Sequence, residues 1–246
     1  MLEVKQYYEI KKGIRYIPLD INTNSRIYKN GLELIKIPRP HIPVGKTLEN
    51  LIRYIDSCQM NNCIEVKSLI YKQEKCVAYS IKFYKGYKSL RKLLSRKFEL
   101  KKQDCLKIEK AFNELSKNNL EIIDYNLSNI LCKDDSVLIC DLDGLNLNKN
   151  PEVNSINNRN LFILVLAYLY RIPTNEICAL IKHIDNFLIA DNQKLFDLFS
   201  RIRTGETVDV KELLNLVSED DVKIMRKQLK LSISNLRDSG YYRKYL

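Results

Sequence analysis

Within EIIDYNLSNILCKDDSVLICDLDG, residues 121–144, Asp124, Asn129 and Asp141 stand at the ends of apolar runs. A carboxylate is costly to desolvate, so one kept at the edge of a buried strand is a candidate for binding a cation or taking a proton. Carboxylate and amide oxygens suit a hard cation such as Mg2+, and a second carboxylate can accept the proton of an attacking hydroxyl. The plainer alternative is that Asp124, Asn126 and Asn129 shape a turn and Asp141 ends a strand. All of them falling in one stretch favours the chemical reading.

Positioning these groups requires a hairpin. NILC, KDD and SVLICDL read as strand, turn and strand, which would bring Asn129 and Asp141 to one end beside the loop carrying Asp124. Upstream, from residue 4 to about 85, short β-branched and aromatic runs (GIRYIPL, SRIYK, LELIKI, EVKSLIY, CVAYSIKF) alternate with the turn signals NTN, KNG and QEK. One helix interrupts them. In TLENLIRYIDSCQ, Thr47 is placed to cap, and Leu48, Leu51, Ile52 and Ile55 keep a period near 3.6. After residue 88 helical patterns dominate, and NRNLFILVLAYLYRI, with Phe162, Val165, Leu166 and Leu169, reads as the central helix of that half.

The bulk properties remove several function classes. With 246 residues, 45% of them hydrophobic, the chain can bury a sizeable core as one domain or two small lobes. Two histidines, His41 and His183, leave little for a Ser-His-Asp site or a histidine-rich metal centre. Seven cysteines without a CxxC pair read as free reduced thiols rather than zinc ligands. No run reaches the roughly 18 apolar residues of a spanning helix, and MLEVKQYYEIKKG lacks the apolar core of a secretion signal. A cytoplasmic protein without a transmembrane segment is therefore expected. The charge of +11 is concentrated, with nine Lys or Arg against Glu99 between Lys82 and Lys102. Lys85, Lys88, Arg91, Lys92 and Arg96 recur near helical spacing, with Leu90, Leu93 and Leu94 facing inward. Such a face is either a solvated surface or attraction for an acidic partner, whether phosphorylated ligand, nucleic acid or membrane.

In this setting the chain resembles the protein-kinase-like superfamily, which includes protein kinases and the aminoglycoside, choline and lipopolysaccharide-core sugar kinases. Asp124-Tyr-Asn-Leu-Ser-Asn129 is similar to the catalytic loop, and Asp141-Leu142-Asp143 to the metal-binding Asp-Phe-Gly or Asp-x-Asp. Leu34-Ile35-Lys36 resembles the lysine strand, Glu49 lies on the following helix, and Lys82, Phe83 and Tyr84 fall where the hinge joins the lobes. The resemblance implies an α+β, bilobal protein-kinase-like fold. Residues 1–84 would form a small antiparallel-sheet lobe with one helix, and residues 85–246 a mainly helical lobe. It also implies ATP and Mg2+. Lys36 would grip the α- and β-phosphates with Glu49 as its partner, and Lys82, Phe83 and Tyr84 would line the nucleotide site. Asn129, Asp141 and Asp143 would hold metal, and Asp124 would orient and deprotonate the acceptor hydroxyl.

Departures from the family pattern refine the expectation. Ile122 and Ile123 replace the histidine and arginine before the catalytic aspartate, so control by loop phosphorylation is not expected. Asp20-Ile-Asn-Thr-Asn-Ser25 stands where a glycine-rich loop would cover the phosphates. About 15 residues separate Gly144 from the helix near Asn160, without Ala-Pro-Glu, which leaves little platform for a peptide. An ATP- and Mg2+-dependent transfer to a hydroxyl is expected, protein Ser/Thr ranking just ahead of a small-molecule acceptor. The alternatives are a catalytically weak regulatory binding module, and a basic nucleic-acid-binding protein using Tyr84 and Tyr87 to stack on bases.

Overall fold

The structure, a computed structural model, describes residues 2–7, 15–17, 25–38, 46–93, 102–134, 136–182 and 193–216, and singly 227, 230, 231 and 234. Residues 20–24, His41, Leu94, Arg96, Glu99 and His183, singled out above, lie outside them. The chain forms two compact units: Met1–Tyr87 together with Leu138–Asp143, and Lys88–Val137 together with Gly144–Leu246. The division thus falls after Tyr87, beside the boundary at 84 expected from sequence, and the chain returns to the first unit for six residues that include Asp141 and Asp143.

The first unit is built on a six-stranded sheet ordered β1-β5-β6-β4-β3-β2, where β1 is Glu3–Gln6, β2 Arg15–Ile17, β3 Ser25–Asn30, β4 Glu33–Pro38, β5 Val66–Lys72 and β6 Lys75–Lys82. The expected KNG turn joins β3 to β4, with Gly31 at φ 58°, a left-handed conformation that glycine adopts without a Cβ penalty. The sheet is mixed rather than antiparallel throughout. β1 pairs parallel with β5, Val4 opposite Leu69, which is possible because β2 to β4 and a helix lie between them in the chain and provide the long crossover a parallel pair needs. That helix, α1 (Lys46–Cys58), takes Thr47 into its first turn rather than using it as the cap, and of the expected face it buries Leu51, Ile52 and Ile55 while Leu48 is only half-buried.

Alternation along β4 sorts its side chains. Ile35 packs with Ile70 and Ala78 on one face, with Ile37 and Val77 against them. Lys36 therefore points to the opposite face, where its register partner on β6 is Tyr79. Between β5 and β6 the buried Ser68 and Ser80 hydroxyls satisfy each other at 2.6 Å.

The second unit is mainly helical. A short β7 (Lys88–Ser89) leads into α2 (Leu90–Leu93), then α3 (Lys102–Lys117) and β8 (Leu120–Ile122). The expected strand pair β9 (Ile130–Lys133) and β10 (Ser136–Ile139) shares a three-stranded sheet with β7, while β11 (Leu145–Leu147) runs antiparallel to β8. Helix α4 (Val153–Tyr170) is buried along every face from Asn160 to Tyr170, Phe162, Val165, Leu166 and Leu169 included, so it is the core of the unit, as its unbroken apolar run implies. Helices α5 (Thr174–Lys182), α6 (Gln193–Arg203) and α7 (Val210–Leu216) complete the described part. Among the described residues no single helix is long and apolar enough to cross a membrane.

Candidate functional site

In the first unit, the Lys36 ammonium bridges two carboxylates of the loop after β10. It pairs with Asp141 Oδ1 and, at 3.0 Å, with Asp143 Oδ2. Burial alone would lower the pKa of Lys36, but the two aspartates outweigh it and hold the group above its ordinary 10.5, so it stays charged. Two carboxylates thus share one ammonium in a partly buried place.

Asp143 is held on both oxygens. The Tyr79 hydroxyl donates to Oδ1 at 2.6 Å, and the Ser25 hydroxyl reaches Oδ2 at 3.5 Å. Tyr79 is fully buried, and burial first, then the charge of Asp143, pushes its hydroxyl well above the usual tyrosine range, so it remains a donor. The Lys36 ammonium also lies 5.9 Å from the Tyr79 ring centroid. Leu142, between the aspartates, is fully buried and anchors the loop. Cys140 is pushed up to about 12, mainly by burial, so its thiol is no nucleophile at neutral pH.

Glu49 is engaged elsewhere. Its carboxylate pairs with Arg53 at 3.0 Å, one turn along α1, and accepts the Tyr71 hydroxyl. Lys82 pairs with Glu65 at 3.3 Å and lies 5.5 Å from the Tyr84 ring. The Phe83 N–H donates to the Leu32 carbonyl at 2.8 Å, the Phe83 ring carries Lys29 at 4.3 Å, and the Tyr84 hydroxyl accepts the Glu65 N–H at 3.0 Å. Residues 82–84 are thus pinned to the β3–β4 turn and to the approach to β5.

In the second unit Asp124 and Asn129 do meet. Asn129 Nδ2 donates to the Asp124 carbonyl at 3.1 Å and to its Oδ2 at 3.0 Å, while Asn126 Nδ2 donates to Oδ1 at 2.8 Å. Asn126 Oδ1 in turn accepts the Ser128 N–H at 2.8 Å, closing a local turn. The loop is fixed from behind by the Gly144 carbonyl, which accepts both the Ile123 and Asp124 N–H groups, at 2.7 and 3.2 Å. From α4, buried Asn157 accepts the Ile122 N–H at 2.9 Å and donates to the Leu120 carbonyl, and Asn160 donates to the Ile122 carbonyl. Nothing in the sequence marks Tyr79, Gly144, Asn157 and Asn160 as site residues. Only strand register and the packing of α4 reveal them.

Among the described residues no three His, Cys, Asp or Glu side chains converge as a metal cage. The Asp141 and Asp143 pair nevertheless fits Mg2+, which commonly takes one or two protein carboxylates and completes its shell with phosphate oxygens and water. No protein-family model matches the chain, and no curated protein matches it in sequence.

Proposed function

We propose that this chain is a kinase-like phosphotransferase that moves the γ-phosphate of ATP to a hydroxyl group, a protein Ser or Thr ranking ahead of a small molecule. The observation that carries the reading is the convergence of Lys36 with Asp141 and Asp143, residues some hundred positions apart in sequence, in a partly buried cluster of hard oxygen donors and one ammonium. Lys36 would hold the α- and β-phosphates. Asp141 and Asp143 would hold Mg2+, which when bound neutralises phosphate charge. Asp124, its carboxylate oriented by Asn126 and Asn129, would align the acceptor hydroxyl and take its proton as oxygen attacks the γ-phosphorus and the bond to the β-phosphate oxygen breaks, releasing ADP. A cytoplasmic setting, with ATP and reduced thiols, suits this reading and the seven free cysteines.

The test is thermal shift of the full chain with ATP, with and without Mg2+, on wild type and Asp141→Asn. Stabilisation that needs Mg2+ and is lost in Asp141→Asn supports the reading. Absence of any shift in wild type sinks it.

A second reading has its own observation. Glu49, the expected partner of Lys36, is bound to Arg53 and Tyr71, an arrangement that suits a nucleotide-binding module without transfer activity. Mg2+-dependent ATP binding with no phosphate release or transfer to any acceptor would favour that module.

A further inference from the structure

The two aspartates that share Lys36 are not equivalent. Asp143 receives donors from three adjacent strands of the first sheet: Ser25 on β3, Lys36 on β4 and Tyr79 on β6. Asp141 meets that sheet through the Lys36 ammonium. The Tyr79 contact to Asp143 is the shortest of the three, at 2.6 Å, and comes from a side chain without solvent exposure. Tyr79 is also opposite Lys36 in the β4–β6 register, so one side chain lies beside the ammonium and ties down one of its two counter-charges. Hydroxyl donors spread the negative charge of Asp143 into the sheet without adding positive charge, and they fix the direction of its oxygens.

We propose that Tyr79 is a positioning residue of the phosphate and metal site: by holding Asp143 against the sheet it keeps the two carboxylates apart around Lys36 and sets the geometry in which they take Mg2+. The inference rests on the kinase-like reading and adds to it a residue that carries no chemistry of its own. Tyr79 touches neither phosphate nor metal in this assignment and acts through Asp143. Without its hydroxyl, Asp143 Oδ1 loses its donor, and the carboxylate is released to swing toward Lys36 or away from the cation.

Tyr79→Phe is the appropriate variant because it keeps the ring, its packing and its place beside Lys36 while deleting one oxygen. The full chain would be titrated with Mg2+ at fixed concentration of a fluorescent ATP analogue, following anisotropy, for wild type, Tyr79→Phe, Asp143→Asn and the double variant, with melting temperature recorded for each. Tyr79→Phe is expected to need about tenfold more Mg2+ for half-maximal nucleotide binding, the scale of a hydrogen bond to a charged group. In the double variant the hydroxyl deletion is expected to add little to the Asp143→Asn effect, because both act through one contact. A purely structural role would lower the melting temperature and leave the Mg2+ midpoint unmoved, and that result overturns the proposal. So does an effect of Tyr79→Phe that persists in full when Asp143 is already Asn. Should wild type bind the analogue with no dependence on Mg2+, the kinase-like reading falls and this proposal with it. Mg2+-dependent wild-type binding with an unmoved Tyr79→Phe midpoint removes this proposal alone.

Discussion

Gly144 and Asp124 approach so closely that a β-carbon on Gly144 would stand 3.0 Å from the β-carbon of Asp124, nearer than two such carbons normally come. The obstacle is the root of the catalytic candidate itself, with its backbone nitrogen and α-carbon just behind at 3.6 Å, so a flexible tip cannot move aside.

Gly144→Ala is therefore expected to displace Asp124 while leaving the Lys36 cluster intact. If the proposed phosphotransferase reading holds, transfer should fall by about 10²-fold, the cost of misplacing a positioned group by an ångström or less. The nucleotide-dependent thermal shift should remain close to that of wild type. Comparing kcat with nucleotide affinity in the same preparation checks the split.

Lys36 makes a prediction in pH. Its folded pKa is raised above 10.5, so its contribution to stability is fully present below the unfolded value and is lost as pH climbs through the folded one. Tyr79, also raised, works in the same direction, since the unfolded chain releases that proton first. Stability should decline from about pH 10 upward. Lys36→Met should lose about 2 kcal/mol at pH 7 because two partly buried carboxylates then lose the ammonium they share. That variant should show a shallower decline at high pH, and urea denaturation between pH 7 and 11 measures both.

For Glu49 the expectation is a small effect. Its pair with Arg53 is only partly buried, Arg53 being 46% exposed, and a pair one turn apart on a surface helix is worth about 0.5 kcal/mol. If the proposed Mg2+-dependent thermal shift with ATP is found in wild type, Glu49→Gln should leave it unchanged. Loss of that shift would show that the carboxylate leaves Arg53 for Lys36 once nucleotide binds.

Much of this arrangement was legible from local pattern. The strands of the first unit, the α1 face of Leu51, Ile52 and Ile55, and the buried α4 follow from side-chain period, which acts over a few residues and is written in the chain directly. The alternation of Ile35 and Ile37 around Lys36 gives its direction, whereas its role, like those of Asp124 and Asn129, is read only from the resemblance of their segments to kinase motifs. Tyr79 was hidden for the opposite reason: in CVAYSIKF it is one more aromatic in a β run, and its meaning comes from lying across from Lys36 and reaching Asp143. The parallel seating of β1 was hidden as well, since the edge on which a first strand docks depends on a partner more than sixty residues later. Glu49 shows the converse. Its place on α1 follows from sequence, but which cation it chooses is decided by Arg53 one turn away and Tyr71 on β5.

The return of Leu138–Asp143 to the first unit bears on how the protein is made. The counter-charges of Lys36 are encoded about a hundred residues after it, Asp141 following by 105 positions, so a ribosome adding about 5–20 residues per second exposes the lysine strand many seconds before its acidic partners. Until they emerge, closing the sheet around Lys36 would bury a lone ammonium, a cost that favours leaving that face open. The unit that begins the chain thus cannot be finished until Asp143 has been made, and a nascent or truncated chain ending near Tyr87 carries a sheet whose charged centre is incomplete.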